Sequence, residues 1–116
     1  MTTTAAQLRY SDQEFLGSGN GFCPGCGAAL ALRYVLKAIG GKVLVVVPPG
    51  CSAPGISFPQ HNLYNGDEII DVIHCPFGSA ATFAGGIKSG LKARGDEETT
   101  VVAWTGDGAT FDIGFG

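Results

Sequence analysis

The run Lys42 to Val47 constrains this chain most: an apolar, largely β-branched stretch closed by Pro48-Pro49-Gly50. Without polar alternation it predicts a strand covered on both faces, the condition of a parallel sheet packed between helices. Neighbouring patterns supply those helices. From Ala28 to Ile39, Leu32, Val35, Leu36 and Ile39 recur at helical spacing, and Gly40-Gly41 ends the run. Ile69 to His74 reads as a second short strand. Ser79 can then cap a helix in which Ala80, Phe83, Ala84, Ile87 and Leu91 share one face, ended by Gly95. Thr99 to Trp104 reads as a third strand leading into Gly106-Asp107-Gly108, with a new helix beginning near Thr110. Alternating strands and helices predict the α/β class with a mostly parallel sheet. The loops at Gly50-Cys51, His74-Cys75 and Gly106-Asp107 would then share the carboxyl edge, where open α/β sheets bind ligands.

The chain has 116 residues, enough for one domain at most. Its 45% apolar and 15% charged composition is rich for that size, so part of the apolar surface is expected to face a partner or the rest of its own domain. The 19 glycines form no low-complexity run but sit at turns, which suggests backbone passing close to something bulky. Residues 1–20 are polar and read as an amino-terminal arm or wrapping segment; residues 21–116 carry the domain pattern. The stretch Cys51 to Glu68 holds Pro54, Gly55, Pro59, Asn65 and Gly66 and reads as a long, functional loop. Three strands followed by a helix that has only begun at Phe111 predict the front part of a larger, here incomplete, domain. A net charge of −3 gives no electrostatic reason to expect nucleic acid or an anionic membrane. No signal segment is visible and the apolar runs are too short to span a bilayer, so a cytoplasmic location is expected. In that compartment four cysteines point to metal or redox chemistry ahead of disulfides.

Cys23-Pro24-Gly25-Cys26 stands at the mouth of the first helix. Helix-start cysteines acquire low pKa values, which allows a redox pair, although no strand precedes this one. Thiolates also hold zinc or an iron–sulfur cluster, with Cys51 and Cys75 as further donors. Four unrelated buried thiols are the bland reading, and spacing alone does not choose between zinc and iron–sulfur. In Gly106-Asp107-Gly108, glycines would let backbone approach a diphosphate while Asp107 held a divalent cation; a plain tight turn fits equally. His74, at the same edge, is either a hydrogen-bonded structural residue or a polar contact at an active site. His61 reads as exposed. Lys88, Lys92 and Arg94 read as a solvated face near a helix end. No nucleophile elbow, Walker loop or zinc-protease motif is present.

Together, Gly21-Phe22-Cys23-Pro24-Gly25-Cys26-Gly27, Pro49-Gly50-Cys51-Ser52, the segment His74 to Ala81 and the segment Gly106 to Gly114 resemble the β subunit of 2-oxoacid:ferredoxin oxidoreductases, in register from about Gly17 to Gly116. The pyruvate synthase branch is the nearest in pattern. The resemblance implies a thiamine diphosphate-binding fold, thiamine diphosphate, a magnesium-like ion (Mg2+) and a [4Fe-4S] cluster. It implies that Cys23, Cys26 and Cys51 ligate the cluster and that Asp107 holds magnesium. It further implies that Cys51, Ala28, Gly106, Asp107, Gly108 and Ala109 lie against the cofactor. The implied reaction is oxidative decarboxylation of a 2-oxoacid, pyruvate foremost, to acyl-CoA and CO2, with electrons passed to ferredoxin. The implied partners are α-, γ- and δ-type subunits, ferredoxin, the 2-oxoacid and coenzyme A. The family takes its fourth cluster cysteine and its remaining metal ligands from further along the chain, and Cys75 does not match the fourth position. The reading from a different class is a small non-catalytic zinc or iron–sulfur module using Cys23, Cys26, Cys51 and Cys75.

Overall fold

A computed structural model describes residues 12–115. The first part of the expected arm and Gly116 lie outside the described residues. The elements in chain order are α1 (Gly27–Ile39), β1 (Val43–Val47), α2 (Ser52–Ser57), β2 (Tyr64–Asn65), β3 (Glu68–Ile69), β4 (Asp71–His74), α3 (Ala80–Ala93) and β5 (Thr100–Ala103), followed by a π-helical turn, Gly108–Asp112.

The α/β expectation holds. Strands β4, β1 and β5 form a parallel sheet in that order, with Val45 of β1 opposite Val72 on one side and Val102 on the other. Central β1 is buried on both faces as its composition predicts. Val43, Val45 and Val47 point into a core with Leu32 and Leu36 of α1, whereas Val46 faces a smaller cluster with Cys75 and Ala80. Val45, Val46 and Val47 are all fully buried, each worth roughly 1.5–3 kcal/mol. Helix α1 presents Leu32 and Leu36 to the core while Val35 stays partly exposed. It stops at Gly40, whose φ of 62° closes the helix with its N–H donating to Leu36 O.

The segment ahead of α1 wraps the larger core. Phe15 and Leu16 are buried, Leu16 bridges Leu63, and the Tyr64 N–H donates to Phe15 O. Glu14 is tied to Arg33 of α1 at 2.6 Å and reaches Lys37 at 3.4 Å.

Four local expectations need correction. The stretch Cys51 to Glu68 is not one loop, since it contains α2 and the small antiparallel pair β2–β3. Accordingly, the second sheet strand starts at Asp71 and not at Ile69. Ser79 precedes α3 but makes no side-chain cap bond, its hydroxyl donating instead to Pro76 O at 2.7 Å. Lys88 is not simply solvated: its Nζ donates to Glu97 O and Thr99 O, holding the α3–β5 connection. Among the described residues no helix is long and apolar enough to cross a membrane.

Candidate functional site

Because β1 and β5 are adjacent and parallel, the loops leaving them emerge side by side. A cleft of about 380 Å³ lies there, and Cys51, Ala28, Gly106, Asp107, Gly108 and Ala109 all line it. Each wall has a local cause. Pro48-Pro49-Gly50 cannot continue the ladder, so the chain turns out of the sheet and Cys51 becomes the residue before α2, exposed. From β5, Trp104 still donates its backbone N–H to Val46 O, after which Thr105-Gly106-Asp107 leave the sheet. Ala28 arrives from the first turn of α1.

The Gly106-Asp107-Gly108 turn is braced from below. Thr110 Oγ1 donates to Gly106 O at 2.7 Å and lies 2.5 Å from Thr105 Oγ1. A side chain at Gly108 would approach the Phe77 ring to 3.1 Å, while Gly106 opens onto free space. Asp107 is exposed between them. The new helical segment begins nearer to the glycines than the expected start at Thr110.

Cys23 and Cys26 lie in the turn just ahead of α1. They line a separate open pocket of about 490 Å³ together with Asn20, Phe22 and Arg33. The Cys26 N–H donates to Cys23 O at 3.0 Å, a tight turn, and Cys26 immediately precedes α1. Cys26 and Ala28 therefore bracket Gly27, so both pockets draw lining residues from the start of α1. All four cysteines are free thiols; Cys23 and Cys51 are exposed, Cys26 is half-buried and Cys75 is buried.

The four-cysteine site is not assembled. Cys75 packs with Val46 and Ala80 under α3, and among the described residues no three His, Cys, Asp or Glu side chains gather to hold one metal ion. The donor chemistry of the other three still fits a cluster, because they are soft thiols outside the core, Cys23 and Cys26 ahead of α1 and Cys51 ahead of α2. A cluster spaces its thiolates across its own width instead of around a single ion.

The histidines are hydrogen-bonded. His74 Nε2 lies 2.9 Å from Ser57 Oγ, and His74 does not line the cleft. His61, expected to be exposed, is half-buried, its Nε2 3.0 Å from Leu63 O and its ring edge-on to Tyr64. Residues to which the sequence reading gave no site role complete the cleft, chiefly Phe77, Trp104 and Ser52. Ser52 and Phe77 stand within the quoted motif segments and Trp104 lies two residues before Gly106, so all three were findable.

No protein-family model matches the chain. It is similar to curated proteins, among them the ketoisovalerate oxidoreductase subunit VorB of Pyrococcus horikoshii, at 39% identity over 93% of this chain and 35% of that protein. Another is the pyruvate synthase subunit PorB of Methanothermobacter thermautotrophicus, at 36% identity over 92% of this chain and 36% of that protein. A third is VorB of Pyrococcus furiosus, at 39% identity over 88% and 33% respectively. The chain spans about a third of the length of these relatives. The resemblance read from the motifs is thus borne out: the curated homologues are β subunits of 2-oxoacid:ferredoxin oxidoreductases. Their names divide between ketoisovalerate and pyruvate at nearly equal identity, so similarity does not favour the pyruvate synthase branch.

Proposed function

We propose that this chain is a portion, the amino-terminal one by motif order, of a 2-oxoacid:ferredoxin oxidoreductase β subunit with a thiamine diphosphate-binding fold. The observation that carries this reading is the cleft that Cys51 and the Gly106–Ala109 turn line together at the carboxyl edge of β1 and β5. It supports one centre in place of two unrelated motifs.

In this reading Gly106 and Gly108 leave room for a diphosphate to approach the backbone, and Asp107 offers a carboxylate to a magnesium ion on that diphosphate. Ala28 and Ala109 are small enough to let the cofactor lie against α1 and the final turn. Cys23, Cys26 and Cys51 supply three thiolates for a [4Fe-4S] cluster, with Cys51 on the wall shared with the cofactor. When bound, thiamine diphosphate supplies the electron sink for decarboxylation of a 2-oxoacid, and the cluster carries single electrons. The chain's own task is positional: it holds a diphosphate turn and a cluster-binding loop on neighbouring strand ends. Pyruvate or a branched-chain relative is the substrate, coenzyme A the acyl acceptor, ferredoxin the electron acceptor, and α-, γ- and δ-type subunits complete the enzyme in the cytoplasm.

The test is the metal and cofactor content of the full-length protein purified without oxygen. Iron and sulfide in equal amounts together with thiamine diphosphate are expected. Zinc without iron or sulfide overturns the reading.

A further inference from the structure

Ser52 directly follows Cys51, and Trp104 precedes the Gly106-Asp107-Gly108 turn by a single intervening residue. The two are far apart in the chain, yet Trp104 Nε1 donates to Ser52 Oγ at 3.1 Å, and both line the cleft. We propose that this hydrogen bond is the tie that fixes Cys51 relative to the Gly106-Asp107-Gly108 turn, so that Trp104 and Ser52 are positioning residues of the cleft. The inference rests on the functional reading above for what the cleft holds, though not for the tie itself.

The asymmetry of the two loops gives the tie its consequence. Trp104 is anchored: its backbone N–H bonds to Val46 O at 2.9 Å and it packs against the larger core. The Cys51 turn is held less directly, since the buried anchors of α2, Gly55 and Ile56, lie toward its far end. Helix α2 spans only Ser52–Ser57, and Cys51 makes no side-chain cap bond ahead of it. The backbone bonds from Ala53 to Gly50 O and from Gly55 to Cys51 O are local and do not join the turn to β5. The indole N–H reaches across from the end of β5 to the residue beside Cys51. A half-buried indole donor needs a partner, so the bond also defines which way the ring faces.

The test measures how fast each cysteine of the cofactor-free, full-length protein in its assembled complex is alkylated by N-ethylmaleimide, read peptide by peptide. Trp104→Phe keeps the aromatic packing and removes the donor; Ser52→Ala removes the acceptor. Each is expected to speed Cys51 alkylation about two- to tenfold, the worth of one hydrogen bond. Cys23 and Cys26 should keep their wild-type rates, and Cys75 should stay protected. The double variant should react no faster than the faster single variant, because both lose the same bond. Ser52→Thr should restore the wild-type rate.

Unchanged Cys51 rates in both single variants, or additive effects in the double, overturn the tie. So does acceleration at all four cysteines, which would mark general loosening. A separate arm adds thiamine diphosphate with magnesium to the wild type. Slowed alkylation at Cys51 supports the functional reading; absence of protection counts against that reading alone, since the variant rates still decide the tie.

Discussion

Cys75 and Cys51 both follow strands of the same sheet, and their different fates come from what separates each from its strand. Cys75 follows β4 directly, and its N–H still bonds to Val47 O at 3.2 Å, so the pleat turns its side chain into the cluster with Val46 and Ala80. Cys51 comes after Pro48-Pro49-Gly50, which carries it off the ladder and into the open. Only the second is available to a cluster. Cys75→Ser in the full-length protein is therefore expected to leave bound iron unchanged and to lower stability by about 1–3 kcal/mol, the cost of a hydroxyl in an apolar site. Cys51→Ser should lose iron instead. Iron per chain and denaturant unfolding on the same two preparations check this; loss of iron in Cys75→Ser would revive the four-cysteine site. Asp107→Asn removes the carboxylate while keeping the shape of the turn, so thiamine diphosphate binding should weaken at least tenfold and lose its response to magnesium, as titration would show. Residue types and their order made Cys23, Cys26, Cys51 and Asp107 legible as candidates without a structure. The burial of Cys75 was not, because it depends on α3 arriving over that face of the sheet.

At the scale of elements, α1, β1, α3 and β5 were readable because each carries a long apolar period or run. Helix α2 was hidden. Its residues Ser52–Ser57 include Pro54 and Gly55, which read as loop formers. Yet Pro54 stands in the first helical turn, where its missing N–H would have had no partner in any case. Gly55 is there for space: a side chain on it would meet the Phe22 ring at 2.6 Å. Gly21 makes the matching approach from the other side, its N–H donating to Gly55 O at 3.1 Å. A Cβ on Gly21 would fall 2.6 Å from Pro54 O and 2.8 Å from Phe58 O, both backbone atoms. This close packing seats the segment leading to Cys23 upon α2, and no periodicity encodes it. Gly21→Ala should consequently cost roughly 2–4 kcal/mol, in the range of overpacked buried sites, and should raise Cys23 reactivity more than that of Cys75. Thermal melts and thiol titration of the full-length protein measure both. An unchanged melting temperature would mean that α2 and the Cys23 segment do not meet as described.

For the whole molecule, the larger core is built from β1, α1, Ile56 of α2, Leu63 with Ile70, and the wrapping segment that brings Phe15 and Leu16. The last is secured to α1 by charge. The Arg33 hydrogen bond is the main influence holding the Glu14 carboxyl at about 2, against an ordinary 4.5, with Lys37 adding to it and partial burial opposing it. A depressed carboxylate contributes stability that is fully present above its unfolded value and is lost as pH falls through the folded one. The window for Glu14 thus opens near 4.5 and closes near 2. Both partners are substantially solvent-exposed, with side-chain exposures of 38% for Glu14 and 44% for Arg33, so the effect is modest and weakens with salt. Asp96, held at about 2 chiefly by the Thr99 hydroxyl, titrates across a similar window beside the start of β5. Glu14→Gln should therefore melt lower than wild type at neutral pH and lose less on acidification. The two melting curves should converge toward pH 2 without the variant becoming insensitive to acid, because Asp96 remains. Melts of the full-length protein between about pH 7 and pH 2, at low and high salt, supply the comparison. Parallel curves with a constant offset would show that Glu14 acts by packing alone and that the wrapping segment is held by Phe15 and Leu16 without help from charge.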